Sequence, residues 1–263
     1  MAMTVNLHTH TTRCNHASGS EREYIENAIR AGLKTFGFAD HAPYVFPGDY
    51  YSGYRMRWNL LGDYVNTVLA LREEYKGKID IKLGLEAEYY PDLFRATLEK
   101  LLEYPFDYLI LGQHFIENEL TGKYSGVRTD DETYLATYVD EICEGIRTGL
   151  FTYIAHPDLV YYEGPREVFD AHYGRLINCA KENGIPLEIN LLGIRDNRHY
   201  PRDIFWELCG KLGAEVCIGC DAHSADVAYD GASYVKAMEM VERYGLKLNE
   251  SPTLRPLKMI EEK

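Results

Sequence analysis

Short runs of apolar, β-branched and aromatic residues alternate along the chain with longer segments whose apolar positions recur at helical spacing. The runs fall at 4–8, 34–40, 79–89, 106–114, 150–157, 185–194 and 214–223, and predict seven strands. The segments between them are rich in Glu, Ala, Leu, Tyr and Lys. Ser20 and Thr129 each stand three residues before an acid, Glu23 and Glu132, the spacing of a helix-opening capping box. Gly32, Gly149, Gly184 and Gly213 each close a helical stretch just ahead of a strand, where a left-handed residue is needed. Strand, helix, glycine and strand in repeated order imply parallel units, because parallel neighbours require a crossover connection. The pattern predicts an α/β protein: one domain over residues 1–263, a closed or nearly closed barrel of seven β/α units.

Composition agrees with a globular protein and narrows its partners. With 46% apolar residues in 263, the chain can bury a sizeable core, and its formal charge of −13 repels nucleic acid backbones and anionic membrane surfaces. No apolar run approaches the roughly 20 residues that a membrane helix needs, and nothing near the N-terminus reads as a secretory leader, so a cytoplasmic location is expected. The six cysteines are expected as free, mostly buried thiols. Cys217 and Cys220, three apart within one strand, should point to opposite faces and serve as core residues. Cys14 is expected to pack its loop. Fingerprints of serine hydrolases, phosphate-binding loops and dinucleotide sites are missing from the sequence.

The reactive residues sort to the strand ends. In a β/α barrel the C-terminal ends of the strands share one rim, where catalytic groups collect. His8 and His10 end the first run, Asp40 and His41 the second, Glu86 and Glu88 the third, His114 the fourth, His156 the fifth, and Asp221 with His223 the seventh. The sixth ends in Glu188 and Asn190, followed by Arg195. With His16 in the first loop, these positions hold seven of the nine histidines; only His172 and His199 fall outside. Imidazoles mixed with a few carboxylates suit zinc, manganese or iron rather than calcium. The donors exceed what one tetrahedral ion accepts, which points to two or three divalent ions. His41 is read as a ligand with Asp40 orienting it, and spacing alone does not choose between Glu86 and Glu88.

Several motifs in order, Asn6 to Thr11 with Cys14 to His16, Gly37 to Pro43, Gly84 to Glu86, Gly112 to His114, His156 to Asp158 and Asp221 to His223, resemble the PHP (polymerase and histidinol phosphatase) superfamily. Within it, the chain is similar to the histidinol-phosphate phosphatases over essentially its whole length. The resemblance implies a distorted seven-stranded barrel, a trinuclear metal site, and hydrolysis of a small phosphomonoester, L-histidinol phosphate, in histidine biosynthesis. It also implies the ligand sets: His8, His10, Glu86 and Asp221 for one ion, Glu86 as bridge with His114 and His156 for a second, and His16, His41 and His223 for a third. A hydroxide bridging the ions would attack phosphorus in line while the same cations neutralise the phosphoryl oxygens.

A planar guanidinium matches phosphate oxygens, so an arginine is expected beside the cluster; Arg195 is the first candidate, then Arg198 and Arg55. His41, Asp158 or a metal-held water would protonate the leaving alkoxide. The rival readings are another PHP phosphoesterase acting on nucleotides or nucleic acid ends, an amidohydrolase-type barrel, and a non-catalytic metal-binding scaffold. The acidic surface opposes long nucleic acids, and no strand-end lysine is available to bridge two metals.

Overall fold

The computed structural model describes residues 3–260. All seven expected strands form: β1 (Val5–Asn6), β2 (Thr35–His41), β3 (Asp80–Ala87), β4 (Tyr108–Leu111), β5 (Phe151–Ile154), β6 (Leu187–Asn190) and β7 (Glu215–Gly219). An eighth, β8 (Lys247–Leu248), was not foreseen; it is two residues long and pairs with Glu215 and Val216 of β7. Every pairing is parallel, in the order β1 through β8. β1 is equally short but lies in the apolar run at 4–8, whereas no such run surrounds β8.

The sheet is an open ladder at one end and nearly a ring at the other. Beyond β1 and β7 the chain continues in register at the C-terminal rim, where Thr9 bridges Ala222 and Ser18 bridges Ser224. His10 N donates to Ala222 O at 2.9 Å, and Ser18 N to His223 O at 2.9 Å. At the opposite end β8 lies against β7. The rim is thereby drawn closed at the two segments that carry His8, His10, His16, Asp221 and His223.

Helices α1 (Glu21–Ala31), α2 (Trp58–Glu74), α3 (Phe94–Leu101), α4 (Glu132–Arg147), α5 (Arg166–Glu182), α6 (Leu191–Arg195), α7 (Asp203–Leu212) and α8 (Gly231–Tyr244) connect the strands. Ser20 opens α1 with a full capping box to Glu23. The second expected box does not form: Asp131 caps α4, accepting from Thr133 N and Tyr134 N, while Thr129, two residues earlier, accepts from Asp131 N. An aspartate nearer the helix outcompeted the threonine, as its charge suits the helix N-terminus.

Two hydrophobic layers follow from strand alternation. The larger core fills the space between sheet and helices, and a smaller cluster of Leu7, Ala39, Tyr108, Ile110, Tyr153, Ala155 and Cys217 fills the barrel interior. Cys217 faces inward and Cys220 joins the outer core, so the two sulfurs diverge as expected, and all six cysteines are free and buried. Tyr108 occupies the barrel axis and donates to Leu7 O at 2.7 Å. Gly37 and Gly84 make room for it, since a Cβ at either would collide with the Tyr108 side chain. This interior plug is the floor on which the polar rim rests. No helix among the described residues is long and apolar enough to cross a membrane.

Candidate metal centre

Directly above that floor, the inward positions of successive strands become polar. His41 ends β2 and is in register with Glu86 of β3. Glu86 lies at the centre of the rim: His156 Nε2 is 2.9 Å from its Oε1 and His114 Nε2 3.5 Å, while His41 Nδ1 is 3.0 Å from its Oε2 and His8 and His10 Nε2 are each 3.6 Å away. Asp221 Oδ1 lies 3.2 Å from His10 Nε2, 3.6 Å from His8 Nε2 and 3.3 Å from His223 Nδ1. His16 and His223 meet through their Nε2 atoms at 3.0 Å. All seven rim histidines therefore converge, and His172 and His199 stay outside, one of them hydrogen-bonded to Leu159 O and the other beside Glu132. His156 and Asp221 carry left-handed backbone, with φ of 30° and 47°, a conformation that costs free energy and concentrates at functional positions.

Outer contacts turn the rings. His8 Nδ1 is held by Glu188 at 2.8 Å, His114 Nδ1 by Glu88 at 2.8 Å, and His16 Nδ1 by Cys14 O at 2.8 Å. A carboxylate or carbonyl on Nδ1 fixes the tautomer that leaves Nε2 with a lone pair, the usual support for a metal-binding imidazole. Inside the ring of rings, His8 Nε2, His10 Nε2, His41 Nδ1, Glu86 Oε2 and Asp221 Oδ1 are buried with no well-directed hydrogen bond. Buried polar atoms are nearly always satisfied, so five orphans facing one another mark a place built for a cation. Donor atoms of His8, His10 and Asp221, of His8, Glu86 and His156, of His10, His41 and Glu86, and of His16, His41 and His223 fall in groups within 4.8 Å of one another. The residues fit divalent ions.

The electrostatics agree. Burial opposes ionisation of Glu86, yet the imidazoles of His114, His41 and His8 hold its pKa well below the usual carboxylate range. Burial likewise opposes the Asp221 charge, and His8 and His10 overcome it. Burial and His10 push the His223 pKa down to about 3, and the same two causes depress His41. The depressed pKa of His41 favours the neutral imidazole that a metal ligand needs.

Spacing left Glu86 and Glu88 open, and it is Glu86, the one the resemblance implied, that faces the cluster, while Glu88 stands behind His114. Other expectations change. Asp40 serves His10 rather than the His41 ring: its Oδ1 is 3.6 Å from His10 Nδ1 and accepts from the His41 backbone N at 2.9 Å, and its Oδ2 accepts from Thr11. Asp158 is buried behind the rim, where its Oδ2 accepts from Arg202 N at 2.6 Å and its neighbours are Tyr138 and Tyr173. Burial pushes its pKa up to about 7, but it does not line the cavity, so it is not placed to protonate a leaving group. Cys14 donates to Thr11 O at 3.1 Å and packs its loop, although its sulfur comes within reach of His10 and His223.

Over the cluster opens a cavity of about 400 Å³. Its floor includes His16, His41, Glu86, His114, His156, Asp221 and His223, and its walls are Tyr54, Phe115, Tyr124, Leu159, Leu192, Asp196, Arg198 and Tyr200. Of the three candidate arginines only Arg198 reaches it, steadied by Tyr200 Oη at 3.1 Å and Asp196 at 3.2 Å. Arg195 turns to Asp230 at 3.2 Å, and Arg55 is sealed inside an ion cluster with Glu88 and Glu119. Arg198 therefore moves ahead of Arg195 as the arginine that lines the cavity. Sequence reading also missed Glu188 as a ring-orienting acid. Its signal was Gly219, where a Cβ would collide with the Glu188 carboxylate, as one at Gly112 would with Glu86.

Residues 6–191 match the family model described as the PHP domain. The chain belongs to the PHP domain family. This PHP domain is 29% identical over 252 residues to a probable histidinol-phosphatase of Deinococcus radiodurans, covering 89% of the chain and 92% of that relative. It is 24% identical to the histidinol-phosphatase of Bacillus subtilis, covering 84% of the chain and 94% of the relative. Its fold matches a histidinol phosphate phosphatase of Lactococcus lactis, solved with zinc, L-histidinol and phosphate, at a TM-score of 0.74 and 21% identity over 98% of this chain and 100% of that one.

Proposed function

We propose that this PHP domain is a metal-dependent phosphatase that hydrolyses L-histidinol phosphate to L-histidinol and phosphate. The observation that carries the reading is the convergence of seven imidazoles, Glu86 and Asp221 at one rim, where five of the imidazoles and both carboxylates line a cavity whose wall presents Arg198. The full-length similarity to histidinol-phosphatases supports the substrate. A volume near 400 Å³ suits a small phosphomonoester, and the net charge of −13 opposes nucleic acid.

Three divalent ions, of zinc, manganese or iron, would be held by His8, His10, Glu86 and Asp221; by Glu86, His114 and His156; and by His16, His41 and His223. When bound, such ions supply an acidified water as nucleophile and positive charge for the phosphoryl oxygens. The chain's own residues do the rest. Arg198 pairs with phosphate oxygens at the mouth of the cluster, and Tyr200 and Asp196 keep its guanidinium aimed there. Tyr54 and Phe115, stacked at 5.9 Å and 13°, present flat aromatic surface to an imidazole ring. Glu188, Glu88 and Asp40 fix the rings that must not turn during turnover.

The test is phosphate release by the zinc- or manganese-loaded protein. Histidinol phosphate should be hydrolysed far faster than mononucleotides, and a chelator should abolish turnover. Preference for nucleotides would transfer the assignment to another phosphoesterase of the same family.

A further inference from the structure

Arg55 poses a question that its exclusion from the cavity does not answer. It sits in the loop between β2 and α2, with no regular structure around it, yet its side chain is 1% exposed. One amino group, Nη1, donates to Ala42 O at 2.6 Å; the other, Nη2, donates to Glu88 Oε1 at 2.9 Å and to Glu119, and meets Tyr54 Oη at 2.9 Å. Its guanidinium also lies over the rings of Tyr54 and Tyr44, at 4.9 and 5.1 Å. A single buried cation thus joins three segments: its own loop, the end of β3 at Glu88, and the loop after β4 at Glu119.

The decisive detail is one oxygen. Glu88 Oε1 accepts from Arg55 Nη2 at 2.9 Å and is also the atom 2.8 Å from His114 Nδ1, whereas Glu88 Oε2 has no hydrogen-bond partner. The carboxylate is therefore pinned by two donors on the same oxygen. Remove one and the group is free to rotate about its last bond, carrying the acceptor away from His114. The Nε2 of that ring points at Glu86, the carboxylate shared by the proposed ions.

We propose that Arg55 is a positioning residue of the metal centre: through Glu88 it fixes the orientation and Nδ1–H tautomer of His114, and so the aim of His114 Nε2 toward the shared Glu86. The inference rests on the metal-site part of the proposed function, and not on the identity of the substrate. Contact with substrate is excluded for Arg55 by its burial; its effect passes through Glu88. Its grip on Glu119 and Tyr54 belongs to a separate arm, which steadies the loops bearing Phe115 and Tyr54.

Two variants separate the arms. Arg55→Gln removes the pin on Glu88, and Glu119→Gln removes only the loop arm. For Arg55→Gln, Zn²⁺ titration against a competing chelator should show affinity reduced by about tenfold, the scale of outer-contact substitutions at metal-binding histidines. Nitrogen-15 NMR of the metal-free protein at alkaline pH, where the ring is neutral, should show His114 changing from a single Nδ1–H tautomer to a mixture. With zinc restored, kcat should fall, and KM for histidinol phosphate should change no more than it does in Glu119→Gln, which shares the loss of the loop arm. Glu119→Gln should keep the zinc affinity and the tautomer of the unaltered protein.

Wild-type zinc affinity and tautomer in folded Arg55→Gln would overturn the proposal, as would an equal loss of both in Glu119→Gln, which would make the cluster a structural staple. If Arg55→Gln does not fold, Arg55→Lys decides: it keeps the charge but not the fork, and should show a several-fold loss of zinc affinity and a mixed tautomer, with unchanged values sinking the idea. A protein that ignores histidinol phosphate but follows this pattern would remove the substrate assignment and leave the role of Arg55 standing.

Discussion

Two glycines, Gly112 and Gly219, decide whether Glu86 and Glu188 can stand where they do. Gly112 packs its bare Cα against the Glu86 carboxylate, and no side chain fits there. Gly112→Ala should therefore displace Glu86 while leaving the hydrophobic core intact, so the variant folds yet loses most bound metal and at least about 100-fold in kcat, because an outer-contact loss alone costs 10–100-fold. Metal analysis of the purified variant beside its circular dichroism spectrum checks this; native metal content would mean that Glu86 is not the shared ligand. Arg198 and Arg195 provide a second pair. Arg198→Ala should cost about 2–4 kcal/mol in kcat/KM, as loss of a charge-assisted contact to phosphate does, and Arg195→Ala less than about 0.5 kcal/mol, because Arg195 pairs with Asp230 away from the cavity. Steady-state kinetics on histidinol phosphate decides the order. The histidines were legible in the sequence because a strand-end imbalance of this size has few structural explanations. The acids behind them were not: Asp40 lies next to His41 in the chain but under His10 in space, and Glu188 sits on a strand that bears no histidine at all. Adjacency along the chain says little about which ring a carboxylate reaches.

Among the elements, the strands were the most readable and the helix starts less so. Seven apolar runs became seven parallel strands because runs buried on both faces carry a strong signal, and the glycines that punctuate them do adopt left-handed φ, 90° at Gly32 and 69° at Gly213. The eighth strand escaped because, unlike the equally short β1, it lies in no apolar run, and the box at Thr129 failed because Asp131 offered a better cap two residues on. What holds the strands at their spacing is the plug in the barrel axis. Gly84 of β3 faces the Tyr108 ring with no room for a methyl group. Gly84→Ala should destabilise the fold by about 1–3 kcal/mol through overpacking, read as a lower urea midpoint with an unchanged slope. An unchanged midpoint would show that the tyrosine can withdraw, and that the barrel interior is looser than its packing indicates.

At the scale of the whole molecule, the rim joins groups from distant parts of the chain, and its ring is completed by the bridges Thr9 to Ala222 and Ser18 to Ser224 between the segments after β1 and β7. The same two segments supply His8, His10, His16, Asp221 and His223. Cations that grip these residues would staple the seam of the barrel as well as serve the reaction, and they would offset locally the mutual repulsion of a chain carrying −13. Binding to the folded state alone adds stability of RT ln(1 + [L]/Kd), about 2.7 kcal/mol at a hundredfold excess over Kd. For a domain of this size each kcal/mol moves the melting temperature by about 2–4 °C, so a chelator should lower it by about 5–10 °C, and returning zinc should restore it. Scanning calorimetry of the native, chelated and reloaded protein measures the shift. A shift confined to loss of activity, with melting unchanged, would mean that the hydrogen bonds of the seam hold the rim closed without help from the ions, and that the cluster contributes to chemistry alone.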